Sequence, residues 1–516
     1  MASEFELQYA VPIDFNKKFV QIIDGVPSPT KGKRRIANPA TRVLNPEVPI
    51  ATPKHIAHAV EVARKTVETW SKIPNEARPR IMLAFADAVN IHRDSFSDLI
   101  VREQGKPRDQ ALTEVNQAIE WIREMSRFRL GDETIEDGDH YTVKTRYLPL
   151  GVVVATYLSW DFPMLNCVAN ITPALLTGNV VIVNPCPFAP YCGLKLVELA
   201  QSFFPPGVVQ SLSGETGLVE VLAHQPNIDK ISFSRDAQTG KDSLPVALNL
   251  ISRTQKRDIT ALGGNDPAIV FPDVDIEQTA EKVAYHAFLN SGQLSHNIKR
   301  IYVHESIFEE FKAALMKVVK AYKLGDGSQA QTTHGPIQNG VHYERVKSLL
   351  RHIKNEEWKI AVGGEIDPSL KPGYFFPLTV IDRPPKHSHI VREEKIGPIA
   401  TLHSWNSEED VIAEANNSKP RLGASIWTNN LDKASQFAAE MKADTVWVNT
   451  HFDLWPLSGH KEGNLGSKWG LNGLKGFCNA QNFILNKSPA SIQPGSPRID
   501  DEGAILDLVE SNEPST

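Results

Sequence analysis

From residue 151 onward, short apolar runs alternate with segments of helical period, and this alternation limits the fold more than any other feature. Gly151-Val-Val-Val-Ala155 and Asn179-Val-Val-Ile-Val183 are continuous apolar runs of strand length. A helical segment over 192–203 follows, then Val208-Val-Gln-Ser-Leu212, a helix to Ala223, and Lys230-Ile-Ser-Phe233. Strands that are apolar on both faces and separated by helices belong in a parallel sheet covered on both sides. A second block starts near Gly264. It places Ala268-Ile-Val-Phe271 before a helix over 276–289, and Ile301-Tyr-Val303 before a helix over 308–322. The two blocks share this pattern without repeating each other's sequence. A chain of 516 residues exceeds what one small core fills, so two or three domains are expected.

Upstream, Phe19-Val-Gln-Ile-Ile-Asp-Gly25 reads as a strand entering a turn. Ile56, Val60, Ala63 and Val67 recur at helical spacing, which predicts an amphipathic helix over 55–67. Helical patterns continue over 78–105 and 109–128, and His140-Tyr-Thr-Val-Lys-Thr-Arg-Tyr147 alternates at period two. The last segment, 488–516, is rich in Pro, Ser and acids and reads as a mostly disordered acidic tail. Within it, Ala504-Ile-Leu-Asp-Leu-Val509 is an apolar island able to dock.

The charge balance, 55 basic against 61 acidic residues, shows no basic cluster interleaved with aromatics, so no nucleic-acid partner is expected. The acidic start Met1-Ala-Ser-Glu-Phe-Glu-Leu-Gln8 is unlike a signal peptide, and the longest apolar stretch, 148–158, is strand-sized, so no membrane partner is expected either. Cys167, Cys186, Cys192 and Cys478 lack metal-ligand spacing, so no metal is expected. A reducing, cytoplasmic location is the expectation.

Short motifs recur in a fixed order: Trp160-Asp-Phe-Pro163, Gly178-Asn179, Phe204-Pro-Pro-Gly-Val208, Leu262-Gly-Gly264, Asn290-Ser-Gly-Gln293, Tyr302-Val-His-Glu305, Glu394 with Gly397-Pro398, and Trp447-Val-Asn449. Together they closely resemble the aldehyde dehydrogenase superfamily, from about Val20 to about Asn486. The resemblance implies an α/β fold in three parts. A Rossmann-type cofactor domain would comprise 1–137 and 157–262, and a catalytic-type α/β domain 263–475. A β-hairpin oligomerisation arm would take 138–156 and 476–487, with the hairpin at 141–154 and a strand at 479–486. Such an arm implies a homodimer or homotetramer.

By the same resemblance, position 295 should hold the cysteine that attacks the aldehyde. Position 261 should hold the glutamate that activates water, and 161 an asparagine that steadies the oxyanion. Here they are Ser295, Ala261 and Asp161. Cysteine suits the attack because a few per cent is thiolate near neutrality, whereas serine needs a strong adjacent base. Ala261 cannot accept a proton, and His296, as the next residue in the chain, is expected to point away. Loss of an oxyanion-hole donor costs roughly 3 kcal/mol or more, and the Asp161 carboxylate would oppose the developing charge.

The cofactor positions implied by the resemblance are altered as well. A lysine and a glutamate that hold the adenosine ribose are replaced by Asn184 and Pro187. The Gly-Ser pair beneath the pyrophosphate is Arg235-Asp236, and a carboxylate ~4 Å from a phosphate oxygen repels it by about 4 kcal/mol. Trp160 and Glu394 remain, the latter beside Ile396 in place of an aromatic; Glu394 alone reads as a structural carboxylate. No cofactor is therefore expected, with NAD or NADP only if the chain is a conventional dehydrogenase carrying inactivating substitutions. The leading expectation is a non-oxidising protein repurposed for a cyclisation- or isomerisation-type reaction or for binding an unidentified small molecule. Asp161, Ser295, His296, Thr450, His451 and Asp453 are its candidate contacts. A non-catalytic oligomerisation partner of an active relative and a Ser295-dependent hydrolase are the other readings.

Overall fold

A computed structural model describes residues 12–157, 159–234, 257–261, 264–418, 422–452, 469–487, 498–499 and 505–506. Among them, strands form two seven-stranded sheets, a three-stranded sheet and two two-stranded pairs. In the first large sheet the order is Arg257–Ala261, Lys230–Ser234, Val152–Tyr157, Val180–Asn184 and Val209–Ser211, all parallel. The hairpin Ile22–Ile23 with Val26–Pro27 completes the edge antiparallel. The earliest parallel strand lies in the middle, so strand order reverses between Val152–Tyr157 and Lys230–Ser234. Crevices at such reversals, outside the carboxyl ends of the strands, are where open α/β sheets bind ligands. Val152–Tyr157 is buried throughout, as the apolar run predicts.

The helix Pro53–Trp70 begins with a capping box between Thr52 and His55. The helical pattern over 78–105 resolves into two helices, Ala77–Ile91 and Arg93–Gln104. His92 leaves helical geometry (φ −97°, ψ 13°) between them, a break of one residue that the apolar spacing does not register. Arg108–Met125 follows, and Pro163–Leu176, with Pro163 in its first turn, is buried along nearly its whole length.

The second large sheet runs Ile360–Val362, Thr379–Asp382, Ile399–Trp405, Ile298–His304, Asp266–Val270, Gly423–Trp427 and Thr445–Val448. All neighbours are parallel except the edge strand Ile360–Val362. Its register pairs Asp266 with Ile298, which sets Asp266 beside the turn that carries Ser295 and His296.

Residues 131–148 and the described residues beyond 478 form a second compact unit. The hairpin joins Glu133–Asp137 to Tyr141–Pro149, and Cys478–Asn486 lies on the other side of the latter. It therefore starts earlier than the expected 141–154. Gly151 has φ 127°, and after it Val152 to Val154 pair with Val180 to Ile182 in the large parallel sheet. Thr145 bonds Asn482 at 2.6 Å and Arg146 lies over the Phe483 ring. Ile135, Tyr141, Leu148, Ile484 and Leu485 are exposed. In the tail, expected to be disordered, Arg498–Ile499 pairs antiparallel with Ile505–Leu506. Part of the apolar island thus finds its strand partner within the tail itself.

All four cysteines are buried, and none forms a disulfide. Burial pushes the Cys167 and Cys186 thiols up to about 12, and Cys192 well above the ordinary thiol value.

Candidate functional site

Asp161 lies in the loop between the central strand Val152–Tyr157 and the helix Pro163–Leu176. Its Oδ1 accepts hydrogen bonds from Ser159 Oγ (2.6 Å), Phe162 N (2.9 Å) and Asn166 Nδ2 (3.1 Å). The carboxylate thus braces its own loop. Behind it lies a buried ion pair, with Lys106 Nζ 2.7 Å from Glu114 Oε2. The same ammonium donates to Asp161 O at 2.8 Å and sits 4.3 Å above the Phe162 ring. Glu114 Oε1 accepts from Met164 N and Leu165 N, two of the N–H groups a helix start leaves unpaired. No helical spacing links Lys106 to Glu114 across Pro107, so the pair is not legible in the sequence.

The Ser295 turn is fastened to this loop. Asn290 and Ser291 are left-handed (φ 52° and 54°), and Asn290 Nδ2 donates to Asp161 O. A Cβ on Gly292 would come within 2.3 Å of Gly397 O, so the chain approaches Gly397-Pro398 closely at that glycine. Trp160 Nε1 donates to Gln293 Oε1 at 3.1 Å, an oxygen that also accepts from Gln338 N. Ser295 is half-buried, and among the described residues its hydroxyl has no hydrogen-bond partner. His296 does not serve it as a base. Its ring stacks on Phe452 at 4.9 Å and turns Nδ1 toward Asp266. Ala261 ends the strand Arg257–Ala261, in register with Ser234.

Asp266 is a site residue that the sequence reading missed. It begins the strand Asp266–Val270, and its Oδ1 accepts from Gly423 N at 3.1 Å. Its Oδ2 lies 3.7 Å from both His296 Nδ1 and His451 Nε2 and takes no hydrogen bond from a described residue. Asn449 and Phe452, both left-handed (φ 55° and 47°), flank the bend that carries Thr450 and His451. His451 Nε2 donates to His296 O at 2.7 Å, which leaves its Nδ1 an acceptor with no partner among the described residues. Burial pushes the His451 imidazole down to about 4, so the ring is neutral at pH 7. His286, pushed down to about 3 by burial, packs against it. Of the expected contacts, the structure thus joins His296 to His451. Thr450 is half-buried beside them, and Asp453 lies outside the described residues.

At the positions expected to meet a cofactor, Asn184 is buried and donates from Nδ2 to Thr156 Oγ1 at 3.0 Å, while its Oδ1 accepts from no described residue. Pro187 is buried and offers no donor. Glu394 is buried and accepts from Gly264 N at 3.0 Å. Arg235 and Asp236 lie outside the described residues.

Residues 26–483 match the family model described as the aldehyde dehydrogenase family. The chain belongs to the aldehyde dehydrogenase family. It is 35% identical over 472 residues to aldehyde dehydrogenase LUC3 of Fusarium sp, covering 91% of this chain and 99% of that one. It is 30% identical to phenylacetaldehyde dehydrogenase of Pseudomonas fluorescens, covering 87% and 92% of the two chains. Among solved structures, the NAD+ complex of aldehyde dehydrogenase from Bacillus cereus aligns with a TM-score of 0.86 and 28% identity, over 91% of this chain and 97% of that one. Betaine aldehyde dehydrogenase from Staphylococcus aureus with NAD+ aligns equally well, at 0.86 and 28%, over 96% and 99%. At the positions expected to hold the adenosine and nicotinamide riboses, the polar groups of this chain are few or already engaged. The Asn184 amide nitrogen is bonded to Thr156, Pro187 lacks a donor, and Glu394 is bonded to Gly264.

Proposed function

We propose that this family member carries out a non-redox reaction of the cyclisation or isomerisation type on a small carbonyl compound, or binds one, without oxidising it. The observation that carries this reading is the Ser295 hydroxyl, which has no basic partner among the described residues where the family's chemistry needs a nucleophile. Ala261 has no proton-accepting group, and the Asp161 carboxylate is engaged within its own loop. The ribose positions support the absence of NAD and NADP from its working state. A homo-oligomer and a cytoplasmic location belong to the same reading.

A second reading, an NAD-dependent aldehyde dehydrogenase blocked at a few positions, draws support from the NAD+ complexes among the structural neighbours. Two measurements separate them. Isothermal titration with NAD and with NADP should give no micromolar binding. Phenylacetaldehyde with either nucleotide should give no increase in absorbance from reduced cofactor, for the native chain and for Ser295→Cys alike. Robust aldehyde-dependent NADH formation by Ser295→Cys would establish the second reading.

A further inference from the structure

We infer that His296 is a general base and acid for proton transfer at the carbon beside a carbonyl, with Asp266 as its positioning carboxylate. This rests on the carbonyl-binding reading above. Three polar atoms of the cluster, Asp266 Oδ2, His296 Nδ1 and His451 Nδ1, are buried without a hydrogen-bond partner among the described residues. Buried polar groups are nearly always satisfied, and exceptions gather where a proton or ligand is handled. Exposure separates their roles. The His296 side chain is 26% exposed, while those of Asp266 and His451 are 1% and 0% exposed. A small molecule can therefore reach His296 and not the two groups behind it.

The orientation of the ring follows the same division. Nδ1 faces the carboxylate, which leaves Nε2 for a substrate. At 3.7 Å the Nδ1 to Oδ2 separation is just beyond a hydrogen bond, a gap that closes when the ring gains a proton and becomes a donor on both nitrogens. His451 holds the His296 backbone through its bond to His296 O, and its neutral ring adds no opposing positive charge. Phe452 stacks on His296, and Phe162 lies 6.2 Å from Phe452, giving an aromatic wall that suits an aryl-bearing carbonyl compound.

The step balances without a co-reactant. The Cα–H bond breaks as an N–H bond forms at Nε2, and the electron pair moves through the new C=C bond onto the carbonyl oxygen. The proton then returns from Nε2 to carbon, giving exchange at that carbon, inversion, or a shifted double bond. Nothing is oxidised or reduced.

Among the described residues, the ionisable groups facing His296 are Asp266, His451 and Asp444, the last with its carboxyl raised by burial.

Phenylacetaldehyde in D2O tests the inference, with binding followed by saturation-transfer NMR and α-hydrogen exchange by mass. The native chain should bind it and exchange it faster than buffer. His296→Gln should retain binding and lose about a hundredfold or more of the catalysed exchange. Where that variant does not fold, His296→Phe keeps the stack on Phe452 without a basic nitrogen. Asp266→Asn should lower the exchange rate at saturating phenylacetaldehyde with the half-saturating concentration unchanged, and Asp266→Glu should restore part of that rate, whereas a purely structural role would weaken binding as well. Binding with exchange that is absent, or indifferent to His296, overturns the proton-transfer role alone. Absence of phenylacetaldehyde binding overturns the carbonyl reading beneath it.

Discussion

Lys106→Met tests the buried pair beneath the Asp161 loop. The substitution keeps an apolar stem but leaves Glu114 as an uncompensated carboxylate, with only Met164 N and Leu165 N to satisfy it. Removing one partner of a buried pair costs about 3–5 kcal/mol. The lost contact with the Phe162 ring, 4.3 Å away, adds about 1 kcal/mol. Lys106→Met should therefore destabilise the protein by about 4–6 kcal/mol. Glu114→Gln keeps an acceptor for the helix start and strands the ammonium instead, at about 3 kcal/mol. The double variant has no buried charge there, so its loss should fall short of the sum of the singles by at least about 2 kcal/mol. Urea unfolding followed by tryptophan fluorescence gives the three losses. Hydrogen exchange over the helix Pro163–Leu176 reports local opening where the global transition has several steps. Losses that add within ~0.5 kcal/mol, or a Lys106→Met variant within ~1 kcal/mol of the parent, would refute the reasoning.

Glu103 accepts from Tyr191 N and Cys192 N, and burial pushes its carboxyl up to about 7 from an ordinary 4.5. A raised folded value means the stability it allows is complete below the unfolded titration and is lost as pH climbs through about 7. Glu103→Gln removes that loss, so its stability relative to the parent should improve by on the order of 3 kcal/mol between pH 4 and pH 8; a pH-independent difference would count against this. The exposed Ile135 and Ile484 on the three-stranded sheet should mark an oligomer contact, so Ile135→Asp with Ile484→Asp should lower the light-scattering mass toward the 57.2 kDa chain. A native chain already at that mass would dispose of the idea.

The large elements were legible because each carries its own periodicity. The apolar run after Gly151 and the stripe Ile56, Val60, Ala63 predicted a buried strand and an amphipathic helix, and both form. The hairpin was misplaced because Tyr141 to Tyr157 is rich in strand formers throughout, and only the Gly151 backbone divides the arm strand from the sheet strand. The site positions came from motif order, yet their state depends on partners far along the chain. Asp266 reads locally as part of an Asn-Asp-Pro turn ahead of a strand. Its meeting with His296 and His451 is set by the register of the parallel sheet and the bend after Val448, neither of which has a local sequence signal.

The burial of all four cysteines has a practical consequence. Without a cysteine at position 295, the native chain presents no thiolate to an electrophile, because the thiols it has are enclosed and three of them are held protonated well above the usual value. Alkylation should proceed only as fast as the cores open, which turns these residues into clocks of unfolding. A cysteine introduced at the half-buried position 295 would then be the one thiol within a reagent's reach, and its labelling rate would report how open that position is to small molecules.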